Sequence, residues 1–176
     1  MAHAELVESG ILVKNARLSF PSLFKKASFD GNEGKYEATL LIPKSDKEAY
    51  NLIMGEIEKR KADKKIKVAA DKIFIKDGDD VDYDGYAGHW AIKASNSKRP
   101  TTIDGQRTPV VEQDEVFYAG CYVNAIVEPW AQSNQFGKRV NANLLGVQFV
   151  KDGESFEAGR VVDADAFGDL GEDDEF

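Results

Sequence analysis

The sequence predicts a mainly β domain, a small closed or partly open barrel carrying one prominent α-helix. Three observations support this. Segments rich in β-branched and aromatic residues recur between Gly, Pro, Asn and Asp. Only one stretch has strong helical periodicity. Strands and helices do not alternate in the way that builds a doubly wound parallel sheet. With 176 residues, 42% hydrophobic and 31% charged, the chain suits one core of about 150 residues once its two ends are set aside.

Residues 1–10, "MAHAELVESG", read as a flexible leader, and the folded domain is expected over 11–162. "ILVKNARLSF" opens it as a strand in which Leu18 and Phe20 share one face and Arg17 lies on the other. "KYEATLLIP" is the next strand. Ser45 and Glu48 then have capping-box spacing, and Ala49, Leu52, Ile53 and Ile57 recur along one apolar face, predicting a helix over about 46–62. The cations at its end, Lys59, Arg60, Lys61, Lys64 and Lys65, suit the negative pole of the helix dipole as well as they suit a basic patch. "DKIFIK", "GHWAIKAS", "PVVE", "EVFYAGCYVNAIVEP" and "RVNANLLGVQFVKDG" complete the strands. Trp90 shares a parity with Ile92 and belongs to the core, whereas Lys93 points the other way. In "FYAGCYVNAIV" the row Phe117, Ala119, Cys121, Val123, Ala125, Val127 is apolar, leaving Tyr118, Gly120, Tyr122, Asn124 and Ile126 on the opposite face.

Residues 163–176, "DADAFGDLGEDDEF", hold seven of the chain's 31 acids and no base, so 24 acids face all 23 bases in the remainder. A near-neutral body with an acidic tail does not argue against a nucleic-acid partner, although the whole chain carries −8. Gly168 and Gly171 suit a disordered tail. A lone Cys121 forbids an internal disulfide and no signal-type apolar run opens the chain, which points to a reducing cytoplasm. No stretch approaches the ~20 apolar residues of a membrane span.

Catalytic chemistry lacks its residues. His3, His89 and Cys121 cannot make a four-ligand zinc site, and no phosphate-binding loop, nucleophile elbow or metalloprotease motif occurs. Asp80, Asp82, Asp84 and Gly85 match the first half of a calcium loop, but its twelfth position is Ala91 rather than Glu. No enzyme, cofactor or metal is therefore expected.

Aromatic residues interleaved with bases are the pattern of single-strand recognition, in which rings stack on bases and cations meet phosphates. Three clusters have it. "WAQSNQFGKRVNAN" places Trp130 and Phe136 beside Lys138 and Arg139, and "KASNSKRPTT" brings Lys93, Lys98 and Arg99 to a strand end. "VKNARLSFPSLFKKASFDGNEGKYE" supplies Lys14, Arg17, Phe24, Phe29 and Lys35. The outward face of Tyr118, Tyr122 and Asn124 is open to two readings, a stacking surface or ordinary cross-strand packing.

"FYAGCYVNAIVEPWAQSNQFGKRVNANLLGVQFVKDGE", with the opening "VKNARLSFPSLFKKASF", closely resembles a family of tailed-phage single-stranded-DNA-binding proteins, first catalogued as a domain of unknown function. The resemblance spans nearly the whole chain. It implies an OB-fold, a sequence-tolerant role coating unpaired DNA in replication, recombination or repair, and a location in the cytoplasm of an infected bacterial host. It also implies that Asp169, Glu172, Asp173, Asp174, Glu175 and the terminal Phe176 form a tail that competes with DNA, holds back weaker duplex binding and recruits replication or recombination proteins. Two rival readings are a calcium-dependent interaction module and an acidic DNA mimic.

Overall fold

A computed structural model describes residues 3–29 and 32–156. The expected tail, 163–176, lies outside the described residues, as does the end of the expected domain.

Five long strands form a ring. They are β2 (Gly10–Ser22), β5 (Tyr36–Pro43), β7 (His89–Asn96), β9 (Tyr122–Asn134) and β10 (Gly137–Lys151). Antiparallel pairing runs β7–β5–β2–β9–β10, and one parallel pair, Asn143 with Ser95, joins β10 back to β7. This is a mainly β, OB-like arrangement with one α-helix among the described residues. Shorter strands edge it: β1 (Ala4–Val7) on β2, β6 (Ile75–Asp77) on β7, and β8 (Thr101–Ile103) on β10. The pair β3 (Ser28–Phe29) and β4 (Asn32–Glu33) makes a separate two-stranded ribbon.

The ring interior follows strand alternation. Leu40 and Ile42 of β5, Ile92 of β7, Val123 and Val127 of β9, and Val140 and Leu144 of β10 are fully buried. On β2 the alternation breaks: Ile11 and Val13 point inward, and so do Ala16 and Leu18. Asn15 absorbs the extra residue in the left-handed conformation that Asn tolerates, at φ 52°, and its N–H donates to Asn124 Oδ1 at 2.9 Å. Burying each such Leu, Ile or Val stabilises the fold by about 1.5–3 kcal/mol.

The helix α1 (Lys47–Lys64) packs Ala49, Ile53 and Ile57 inward and contacts β1 and β9. Its N-cap is Asp46, not the expected Ser45, and the Asp46 carboxylate accepts from Ala49 N at 3.0 Å. His3 adds its backbone N–H and ring nitrogen to the same carboxylate, each at 2.6 Å. Burial pushes that carboxyl up, but the Ala49 N–H and the His3 contacts outweigh burial and hold it below its ordinary value. A lowered carboxylate stabilises the fold above its unfolded-state pKa and loses that contribution as pH falls through the folded value. Asp46→Ala is therefore expected to cost about 1 kcal/mol at pH 7. Urea unfolding of both chains should show the deficit shrinking below about pH 4, on the acid limb of the carboxylate range.

Several expectations need correction. The leader is part of the sheet from Ala4 onward, because β1 pairs with β2 through Val13, Leu12, Ile11 and Gly10. "PVVE" is not a strand; the strand of that region is β8, upstream of it. The strand expected from residue 115 begins at Tyr122, since Gly120 at φ 111° turns the chain and lies against Glu154, where a Cβ would meet a carbonyl at 2.2 Å. Phe20 does not share Leu18's face. A second irregularity between Ser19 and Ser22, with φ 46° at Phe20, turns that ring outward to 57% exposure.

Candidate nucleic-acid interface

The long β9–β10 ribbon arrays side chains by register. Trp130 lies opposite Asn141, and Gln132 opposite Arg139. Even positions of β9 and odd positions of this part of β10 therefore share a face, tied by Asn141 Nδ2 donating to Gln132 Oε1 at 2.8 Å. Across the weakly paired gap between β10 and β7, the segment before β6 supplies a bridge. Ile73 pairs with Val140, and the Phe74 carbonyl accepts from Lys93 N at 3.0 Å.

The result is a groove of about 380 Å³ whose cationic lining is Lys35, Lys72, Lys76, Lys93 and Arg139, with Trp130 on its wall. No acid lines it among the described residues, although Glu37 at its margin pairs with Lys93 at 3.3 Å. Cations converge here because four chain segments meet at the seam. Close-set cations beside a half-buried indole form a surface for an anion that also carries flat rings.

Of the residues expected from sequence, the groove gathers Lys35, Lys93, Trp130 and Arg139. Lys138, adjacent to Arg139, takes the opposite face of β10, and Phe136 stands at the ribbon tip, 75% exposed. Arg99 caps the Phe24 ring at 5.0 Å and donates to Thr102 Oγ1 at 3.0 Å, while Lys98 is exposed on the turn after β7. Lys14 pairs with Glu5 of β1 at 3.3 Å. Phe29 lies in β3, and its side chain is outside the described set.

The remaining candidates fasten the chain after β10. Arg17 sits 4.3 Å from the Phe156 ring centroid and 5.5 Å from that of Tyr122, donating to the carbonyls of Gly120 and Glu154. Tyr118 bonds Asp152 and Gly153 through its hydroxyl. Asn124 receives the Asn15 N–H and donates to Gln148. On this face all three side chains, Tyr118, Tyr122 and Asn124, are half-buried and make internal contacts.

Sequence reasoning missed Lys72, Lys76, Gln132 and Asn141. A two-residue alternation Lys72, Phe74, Lys76 within "DKIFIK" was the available signal, since one strand face would carry all three. The acidic loop is a locked turn. Lys44 pairs with Asp77 and, at 2.6 Å, with Asp79, whose other oxygen accepts from Gly88 N at 2.9 Å. Hydrogen bonds to these carboxylates raise the Lys44 pKa and lower theirs. No three His, Cys, Asp or Glu side chains converge as metal ligands among the described residues. Burial pushes the Cys121 thiol up, away from a reactive thiolate. No described helix is long and apolar enough to cross a membrane.

An OB-like ring with a basic, aromatic-walled seam defines the class of the chain. It belongs to the family described as "Enterobacter phage Enc34, ssDNA-binding protein", whose model matches residues 9–176. Its structure is similar to that of the single-stranded DNA-binding protein from bacteriophage Enc34 in complex with ssDNA, at 41% identity and TM-score 0.79, covering 89% of this chain and 94% of that one. A second structure of the Enc34 protein matches at 41% identity and TM-score 0.78, with 94% of each chain covered. "Putative protein p50" of Acyrthosiphon pisum secondary endosymbiont phage 1 is 40% identical over 172 residues, 91% of this chain and 93% of that protein.

Proposed function

We propose that this chain binds single-stranded DNA with little sequence preference, through the groove along the β7–β10 seam. The observation that carries the reading is the acid-free lining of Lys35, Lys72, Lys76, Lys93 and Arg139 around Trp130, in a chain of this family. The strand is bound without chemistry: bases stack on the indole while the cations follow the phosphates. Unpaired DNA is favoured because duplex bases are already stacked and offer no free face. Coating of exposed strands during phage replication, recombination or repair, inside the host cell, follows from that tolerance.

The tail completes the reading. Its seven acids compete with phosphate for the same cations, at an effective concentration in the millimolar range for a short tether. That rivalry is electrostatic, so it rejects duplex, held by charge alone, more fully than a stacked single strand, and salt screens it. The apolar ring of Phe176, beside the acidic run, serves as a hook for a pocket on partner replication proteins.

The test is a salt series with oligo-dT, a matched duplex and RNA, using the full chain and a chain ending at residue 162. Single-strand affinity should fall with salt as counterion release requires. Truncation should tighten DNA binding and unmask duplex binding at low salt, while Phe176→Ala should spare DNA affinity and impair partner capture. Failure to bind oligo-dT at low salt would overturn the proposal. Equal duplex affinity with and without the tail would overturn its competitive part alone.

A further inference from the structure

The two ends of the β9–β10 ribbon present exposed rings in opposite electrostatic settings. At the tip stands Phe136, 75% exposed, with exposed Lys138 beside it. At the other end Phe20 is 57% exposed and Tyr83 52%, their centroids 5.0 Å apart edge to face, with Val81 two residues away at 43%. Exposed Asp82 and Asp84 flank Tyr83. Tyr122 pairs with Arg17, three residues before Phe20, so the length of β9 from Tyr122 to Asn134 separates the two features by roughly 40 Å of strand.

The acidic end is preformed. A left-handed φ of 46° at a bulky residue holds the Phe20 ring outward. Tyr86, packed on Tyr83 at 5.2 Å, anchors the loop by its hydroxyl to Ser19 Oγ at 2.9 Å, and Lys44 locks the loop's base. Little ordering cost remains for whatever covers these rings. Asp82 and Asp84 make DNA and the acidic tail poor occupants, because both carry the same sign. The suitable occupant brings an apolar ring and a cation together, as the ribbon tip of this same chain does.

We propose that Phe136 and Lys138 of one copy dock on the Phe20–Val81–Tyr83 patch and the Asp82 and Asp84 carboxylates of the next. The contact joins two different surfaces at opposite ends of the molecule, so it is head-to-tail, and along an extended strand, where it does not close into a ring, it propagates into an open row. Its few side chains make it weak between free copies. Copies held side by side on one strand meet at high effective concentration, and the contact then makes binding cooperative. This last step rests on the single-strand reading above, whereas the docking itself does not.

The test has two arms, both with the full chain. In the first, Asp82→Lys/Asp84→Lys is compared with the parent on an oligo-dT that holds one copy and on one that holds many. Cooperativity on the long strand should fall at least about fivefold with no loss on the short one, although added lysines alone would favour DNA. Adding Lys138→Glu to the same chain should restore cooperativity. Unchanged cooperativity in the first variant, or weakened binding to the short oligomer, would overturn the proposal. In the second arm, a chain carrying Tyr83→Cys and Phe136→Cys is oxidised without DNA; its native Cys121 is buried. A ladder of dimers, trimers and longer species supports head-to-tail docking, and monomers alone or dimers alone overturn it. If the parent binds neither oligomer the single-strand reading fails, and the ladder still decides the docking.

Discussion

Replacing Lys72, Lys93 and Arg139 together by alanine should weaken oligo-dT binding on the order of a hundredfold at low salt. Each cation that meets a phosphate releases condensed counterion, contributing about 0.7 to the magnitude of the salt slope for a single strand. Loss of three such contacts should flatten the slope by about 2, so parent and variant converge as salt rises. All three residues line the groove from separate segments, and none is fully buried, so the fold should survive. Circular dichroism and thermal melts check that point. A hundredfold loss with an unchanged slope would mean that the groove does not track phosphate.

Trp130→Ala should act differently. The indole is half-buried on the groove wall, opposite Asn141, where on the proposed function a base would stack on it. Removing it should cost about 1–3 kcal/mol of strand affinity and leave the salt slope unchanged. The chain has two tryptophans, and the other, Trp90, is stacked on Tyr50 at 4.4 Å with Lys44 5.0 Å above its ring. Fluorescence quenching by oligo-dT should therefore disappear in Trp130→Ala and persist when Trp90 is replaced by Phe. Quenching that follows Trp90 instead would move the stacking site off the ribbon.

Local pattern in the sequence reached most of the ring. β5, β7 and the helix follow from β-branched and aromatic runs between turn residues and from a 3.6-residue period, signals that are local in the chain. The two places on β2 where alternation breaks were illegible, because Asn15 and Phe20 adopt positive φ only in answer to their neighbours: an Asn124 carboxamide in one case, the aromatic loop in the other. The same limit governed the site. Trp130 and Arg139 were visible as neighbours in sequence, yet Lys138 could not be told from Arg139 without register, and the contacts of Arg17 and Tyr122 with each other and of Arg17 with the chain after β10 left no local signal. Lys72 and Lys76 reach the groove through one tertiary bridge, Ile73 to Val140, which leaves no mark in composition.

Only one residue pair closes the ring between β7 and β10. The other neighbouring strands of the ring are joined by ladders of several pairs, but here the ring behaves like a clasp, with a short segment tucked beneath it. Local opening of the domain is expected first at this join, which has the fewest ladder bonds of the ring. On the proposed function, a strand meeting Lys93 on one side and Arg139 on the other would act as a fastener, so that ligand and fold stabilise each other at the same place. The thinnest closure of the ring and the proposed binding groove coincide, so amide exchange around Ser95 and Asn143 should slow when the groove is occupied.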